Sequence, residues 1–232
     1  MIYNSMSEKT RHELLLPKGK KTAYDKASTL KHEPYEEFRS SIYRLPESRG
    51  TLIGMPSTAF KAALRSAALD VPGSTKAQIG RLTYVPGDYV EIYGTPQLLM
   101  SITRNSDMAR TPDVRTRAII PQWACKINIV YTMPLLKQQA VVNLLAAAGI
   151  MQGIGDWRPE KGKGDYGQFR ICSPSDKDFK AVMKQGRDTQ IKAMDEALPY
   201  DLETEKLLRW FDVEVETRGF GQAPKLVSGG AK

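Results

Sequence analysis

The sequence predicts an α+β fold with an antiparallel sheet, and three observations predict it. Residues 81–104 hold three short stretches rich in β-branched and aromatic residues, "RLTYV", "YVEIYG" and "QLLMSITR", separated by the turn signals "PGD" and "GTP". Residues 123–172 read as strand, helix, glycine-rich loop and strand. Helical periodicity recurs on both sides of these segments, around residues 57–69 and again after Asp176.

Taken in order, residues 1–31 carry little regular pattern. Their stretch "KTRHELLLPKGKKTAYDKASTLK", Lys9 to Lys31, sets seven Lys/Arg against Glu13 and Asp25, a local charge of +5 centred on Lys18, Lys20 and Lys21. It reads either as a solvated basic segment or as an arm that runs along phosphates. "EPYEEFRSSIYRL", 33–45, places Phe38, Ile42 and Leu45 on one helical face, and "SRG" breaks it. In "MPSTAFKAALRSAALDVPG" Ser57 or Thr58 is the expected N-cap, the helix runs to about Leu69, and Pro72-Gly73 stops it. Its small residues suggest close packing against a sheet.

After the three short strands, "TRNSDMARTPDVRTRA", 103–118, reads as a polar connection bearing Arg104, Arg110, Arg115 and Arg117. "WACKINIVYT" reads as a half-buried strand, and "PLLKQQAVVNLLAAAGIM" as a helix opened by Pro134. Beyond the glycine-rich loop come a strand "GQFRICS", a polar helix from about Asp176 to Ala197, an amphipathic helix around "ETEKLLRWF" and a last strand "DVEVET". The expected organisation is one domain over residues 1–226, with 103–118 as a finger or insertion and a disordered tail at 227–232.

Composition narrows the partners. At 232 residues with 41% hydrophobic content the chain can bury a core, and +8 with a pI near 9.4 favours a polyanion such as nucleic acid. No apolar run approaches the roughly 20 residues of a membrane span and the first residues are polar, so the expectation is a cytoplasmic protein without membrane contact. Cys125 and Cys172 lack metal-site spacing and read as small core hydrophobes; no metal and no cofactor is expected.

The loop within "GIMQGIGDWRPEKGKGDYGQFRI", 149–171, holds six glycines. A P-loop or a dinucleotide-binding turn lies between a strand and a following helix, whereas here the helix comes first, so both are excluded by topology. The remaining reading is a cationic and aromatic rim. Arg158, Lys161, Lys163 and Arg170 could pair with phosphates while Trp157, Tyr166 or Phe169 supports a base or ribose. The competing reading makes the aromatics core residues and the glycines turn formers.

"IGMPSTAFKAALRSAAL" and, after an apolar helix, "GIGDWRPEKGKGDYGQFRI" resemble the two hallmark motifs of the RAMP superfamily of CRISPR-associated proteins, most of all its guide-RNA backbone subunits. The resemblance implies a ferredoxin-like or RRM-like core, with an antiparallel sheet, helices on one face and inserted loops or a finger. It implies a role in antiviral defence, as subunits that polymerise along single-stranded RNA through backbone contacts without reading sequence, beside other effector-complex subunits. On the matching positions, Ser57, Lys61 and Arg65 carry the first motif, and Gly153, Gly155, Arg158, Gly162, Gly164 and Gly167 the second. Arg65 reads equally as a surface salt bridge, and the 103–118 connection as a clamp or a solvated loop.

The balance of the sequence is non-enzymatic. Related superfamily members cleave RNA with a histidine as general acid or base, so the catalytic candidates are His32, beside Lys31 and Tyr35, and Asp25 as a loop aspartate. Two alternatives stand beside the guide-backbone expectation: a metal-independent endoribonuclease, and a protein of a mobile element that coats single-stranded DNA. Backbone-dominated recognition leaves no residue signature that separates RNA from DNA.

Overall fold

The computed structural model describes residues 1–5, 30–104, 112–162 and 164–218. Its elements in chain order are α1 (Pro34–Ser40), β1 (Tyr43–Arg44), β2 (Ile53–Pro56), α2 (Ser57–Ala67), α3 (Lys76–Leu82), β3 (Thr83–Tyr84), β4 (Tyr89–Glu91), β5 (Gln97–Arg104) and β6 (Pro112–Ile119). They continue with β7 (Val130–Tyr131), α4 (Gln138–Ala147), a π-turn (Ala148–Gln152), a 3-10 turn (Pro159–Lys161), α5 (Lys177–Val182), α6 (Arg187–Glu196) and α7 (Leu202–Arg218). The class is α+β, and every ladder is antiparallel: β1-β2-β4, β3-β7 and β5-β6. Contacts divide the chain into two compact units.

The first unit comprises Met1–Tyr3, Tyr43–Thr95 and Ile120–Gln190. Its three-stranded sheet is closed by one side chain. Gln190 is fully buried; its Oε1 accepts from the N–H groups of Leu52 (2.9 Å) and Ile53 (3.2 Å), and its Nε2 donates to the carbonyls of Ile92 (2.8 Å) and Gly94 (3.0 Å). One turn earlier, Arg187 donates to the carbonyls of Pro46, Thr51 and Leu45 and holds the β1–β2 turn. Helix α2 follows β2 without a break and buries Phe60, Ala63, Leu64 and Ala67 against α3, α4 and the π-turn, so its small residues serve helix packing more than the sheet. Met1–Tyr3, patternless in sequence, is buried, with Met1 exchanging backbone hydrogen bonds with Ile120.

The second unit comprises Asn4–Ile42, Pro96–Ile119 and Ile191–Lys232. Its centre is the β5–β6 ribbon, paired from Gln97↔Ile119 to Arg104↔Pro112. Thus most of the expected polar connection at 103–118 is strand, because Val114, Thr116 and Ile119 continue the β-branched pattern opposite β5. Ser41 accepts at its Oγ from the Ala118 N–H, Met100 N–H donates to Thr204 Oγ1 of α7, and Tyr35 of α1 donates to Asp212 of α7 at 3.0 Å. Phe38, Leu98, Ile119 and Leu208 fill the core so enclosed.

Other sequence expectations are corrected. "DVEVET" belongs to α7: Leu208 and Val215, seven apart, are both buried, and the i,i+4 pairs Glu205–Arg209 and Glu214–Arg218 support a helix that alternation at Val213 and Val215 disguised. The helix expected over 176–197 is two, α5 and α6, parted at Gly186. Helix α1 stops at Ser40, and α4 starts at Gln138 rather than Pro134. Pro56, not Ser57, is the N-cap of α2, and Ser57 is its first residue. "WACKINIVYT" is paired only at Ala124 and at β7, and "GQFRICS" joins no ladder. Helix α3 takes in Arg81 and Leu82 of the expected strand "RLTYV", which is strand only at Thr83–Tyr84; Thr75 and Gln78 form a capping box legible as T-x-x-Q. The expected tail at 227–232 lies outside the described residues.

Gln190→Ala removes the acceptor of the Leu52 N–H and leaves buried polar groups unpaired, at about 1–3 kcal/mol each. With four backbone groups losing this partner, the expected outcome is a loss of at least about 4 kcal/mol, seen as a lower urea midpoint at unchanged slope.

Candidate nucleic-acid interface

The glycine-rich segment is a tied hairpin rather than an open loop. The π-turn ends α4, and beyond it two arms face each other: Ile154 N–H donates to Gly167 O (2.9 Å) and Tyr166 N–H to Trp157 O (3.2 Å). The Trp157 and Tyr166 rings lie 6.3 Å apart across the arms, and the 3-10 turn closing at Gly162 forms the tip. Gly153 and Gly155 lie on the outgoing arm, Gly164 and Gly167 on the returning one. At Gly167, φ is +79° and a Cβ would stand 1.8 Å from Ile154 O, so only glycine fits. Gly149 has the same role in the π-turn: a Cβ there would lie 2.1 Å from Phe169 O, and Phe169 N–H donates to Gly149 O at 3.0 Å.

The two motif segments, about ninety residues apart in sequence, meet in the first unit. Ser66 of α2 donates to Glu160 Oε1 at 2.8 Å, and Gln152 of the π-turn donates to Asp70, just past α2, at 3.0 Å. Arg158 completes the brace, with Nε on Glu160 Oε2 (2.8 Å) and one terminal nitrogen on Gly155 O (2.9 Å). Its guanidinium is therefore engaged within the hairpin. Glu160, Ser66 and Gly149 were not singled out in the sequence, and only Gly149, a glycine in a helical register, carried a signal of close approach.

Ser57, Lys61 and Arg65 repeat every four residues and share one face of α2. The Ser57 Oγ, on a residue 4% exposed, has no hydrogen-bond partner among the described residues, while its N–H donates to Asp88 O. Arg65 is exposed and the Cδ–Nε–Cζ end of its side chain lies over Gly80 of α3; no salt bridge to it exists among the described residues. Arg170 is exposed but pairs with Asp176 (2.9 Å) and Asp178 (3.4 Å).

In the second unit Arg115 is exposed on β6, whereas Arg117 is 7% exposed, and burial, followed by Arg115, pushes its guanidinium down to about 10. Lys18, Lys20, Lys21, Asp25, Arg110 and Lys163 lie outside the described residues, as do the side chains of Arg104 and Lys161.

His32 sits between two carboxylates. Its Nδ1 is 2.8 Å from Glu37 Oε1 of α1, its Nε2 is 3.1 Å from Asp113 Oδ1 of β6, and Lys31 reaches the same Asp113 oxygen at 3.3 Å. The hydrogen bond to Glu37 and the two negative charges hold the imidazolium above the usual histidine value, against partial burial. Neither ring nitrogen is free to take a proton from a substrate. Among the described residues no group of three His, Cys, Asp or Glu side chains could hold a metal ion, and no helix is long and apolar enough to cross a membrane.

No protein-family model, no curated protein and no solved structure matches this chain.

A raised folded-state pKa means that the stability His32 contributes is complete below about pH 6.5 and is lost as pH rises through the raised value. Wild type should therefore exceed His32→Gln in urea midpoint at about pH 6, with the difference shrinking towards about pH 9. A pH-independent difference would mean that the imidazole is not protonated between its carboxylates.

Proposed function

We propose that this chain binds single-stranded nucleic acid, RNA of the guide type in the first instance, through phosphate contacts along α2 and the glycine-rich hairpin, as a cytoplasmic subunit that lines the strand with copies of itself. The observation that carries this reading is the meeting of the two motif segments through Ser66–Glu160 and Asp70–Gln152, which sets the Ser57, Lys61 and Arg65 face on the same braced substructure as the hairpin. The formal charge of +8 supplies the long-range attraction such binding needs. In this reading the core is a ferredoxin-like sheet whose ladders are short, and other effector subunits would complete the assembly. Single-stranded DNA remains the natural rival ligand, since phosphate contacts do not distinguish the sugars. The occupied nitrogens of His32 weigh against the endoribonuclease alternative.

The test is fluorescence anisotropy of a labelled 20-nucleotide RNA and its DNA counterpart across a salt series. Lys61→Ala with Arg65→Ala should weaken binding of both and reduce the slope of log affinity against log salt by about 1.4, from two contacts at about 0.7 each. Absence of binding to either strand at low salt, or a slope that the double variant leaves unchanged, would overturn the assignment.

A further inference from the structure

The first unit holds a cleft of about 740 Å³ that the reading above does not use. Residues 121–127 and 168–172, the two segments whose sequence reads as strand but which mostly stand outside the ladders, form much of its wall, with α2, α4 and α5 behind them. The volume falls within the range of small-molecule sites, roughly 300–1,000 Å³.

Its walls are aromatic and fixed in place. Trp123 meets Phe169 edge to face, with ring centroids 5.9 Å apart and planes at 68°, and Phe60 and Phe179 add two further rings to the lining. Both members of the edge-to-face pair are half-buried, so part of each ring remains accessible. Each is anchored through backbone. Ala124, next to Trp123, exchanges both hydrogen bonds with Tyr93 (2.9 and 3.1 Å), and Phe169 is held against Gly149 by the contact that a Cβ would forbid. The backbone is fixed beneath both rings and the rings pack on each other, so less side-chain freedom is left to lose on stacking, which favours a flat ligand.

The polar groups give the ligand a charged end. Lys126 is exposed at the cleft and forms no ion pair among the described residues, whereas Arg170 is already neutralised by Asp176 and Asp178. Gln185 accepts from Thr95 Oγ1 at 2.8 Å, which leaves its amide N–H groups as donors to a ring carbonyl or nitrogen. Aromatic walls, an amide donor and one unneutralised cation complement a planar heterocycle that carries an anion.

We infer that this cleft binds a single nucleobase with its attached phosphate, the base against Trp123 and Phe169 and the phosphate towards Lys126. The base comes either from a bound strand, as one unstacked nucleotide, or from a free nucleotide. Only the first source rests on the function proposed above.

Photo-crosslinking separates these cases. The full-length protein is irradiated with 5-iodouridine 5′-monophosphate in one arm and with a 20-nucleotide RNA carrying one 5-iodouridine in the other, and adducts are mapped by mass spectrometry. Adducts on Trp123 or Phe169 are expected; with the monophosphate alone they assign a free nucleotide, and with the strand they assign an unstacked base. Trp123→Leu should lower adduct yield on Phe169 at least about fivefold, the lower end of a base–aromatic stacking contribution. Lys126→Ala, at an exposed position that does not threaten folding, should weaken monophosphate or strand binding at the cleft about tenfold, the size of one hydrogen bond to a charged group. Absence of adducts in residues 121–127 and 168–172 from either probe, or yields indifferent to both substitutions, overturns the inference. Anisotropy on the same strand reports the proposed function separately, since a strand that binds but crosslinks only elsewhere removes the cleft and leaves that function intact.

Discussion

The backbone of Phe169 lies directly on Gly149, and the candidate surfaces of the first unit depend on that contact. A π-turn widens the end of α4 by one residue, so the carbonyl of Gly149 faces the returning arm and accepts the Phe169 N–H. Without a Cβ at Gly149 the two segments close to a distance no other residue permits. The hairpin is thereby fixed at its base, just as the Ile154–Gly167 contact fixes it further along. π-turns of this kind concentrate at functional sites because they re-aim the chain beyond the helix. Here the re-aimed segment carries Phe169 to Trp123 on one side and leads into Arg158 and Glu160 on the other.

The strong local signals of the sequence were legible, and the weak ones were lost to tertiary context. Helix α2, the strands at "YVEIYG" and "QLLMSITR", the helix before the glycine-rich segment and the α+β class follow from periodicity and turn chemistry that packing did not override, whereas "RLTYV" is divided between α3 and β3. The errors have particular causes. Val213 and Val215 alternate like a strand, but Leu208 and Val215 are buried together on one helical stripe, and the Glu–Arg pairs that stabilise α7 are invisible to a two-residue period. "WACKINIVYT" and "GQFRICS" have strand composition, yet composition cannot say whether a partner lies alongside. Most of their length lines a cleft instead of joining a sheet.

The site was legible as residue types but not as wiring. Arg158 and Arg170 read in sequence as phosphate ligands, and in the fold each has carboxylate partners close by: Glu160 for one, Asp176 and Asp178 for the other. Proximity in sequence hinted at these pairs, but whether an arginine faces inward or outward is set by the turn between them. Ser66–Glu160 spans ninety-four positions and no local rule could supply it. His32 shows the same limit, since only the fold brings Asp113 across from a distant strand to close the second ring nitrogen.

This wiring bears on how such a protein would hold a strand. With Arg158 and Arg170 committed to carboxylates, Lys61 and Arg65 are the cations of α2 that form no ion pair among the described residues, and two phosphate contacts give weak, salt-sensitive binding on their own. Copies side by side on one strand change that arithmetic, because each neighbour already bound raises the effective concentration of the next contact, and avidity can exceed single-copy affinity by a factor of about 10² or more. Within the proposed function, the few unpaired cations among the described residues therefore favour repeated, sequence-indifferent coverage over gripping a strand as a lone subunit. The cleft beside Trp123 depends on the same contact as the hairpin, because Phe169, which forms part of its wall, is the residue whose backbone closes on Gly149.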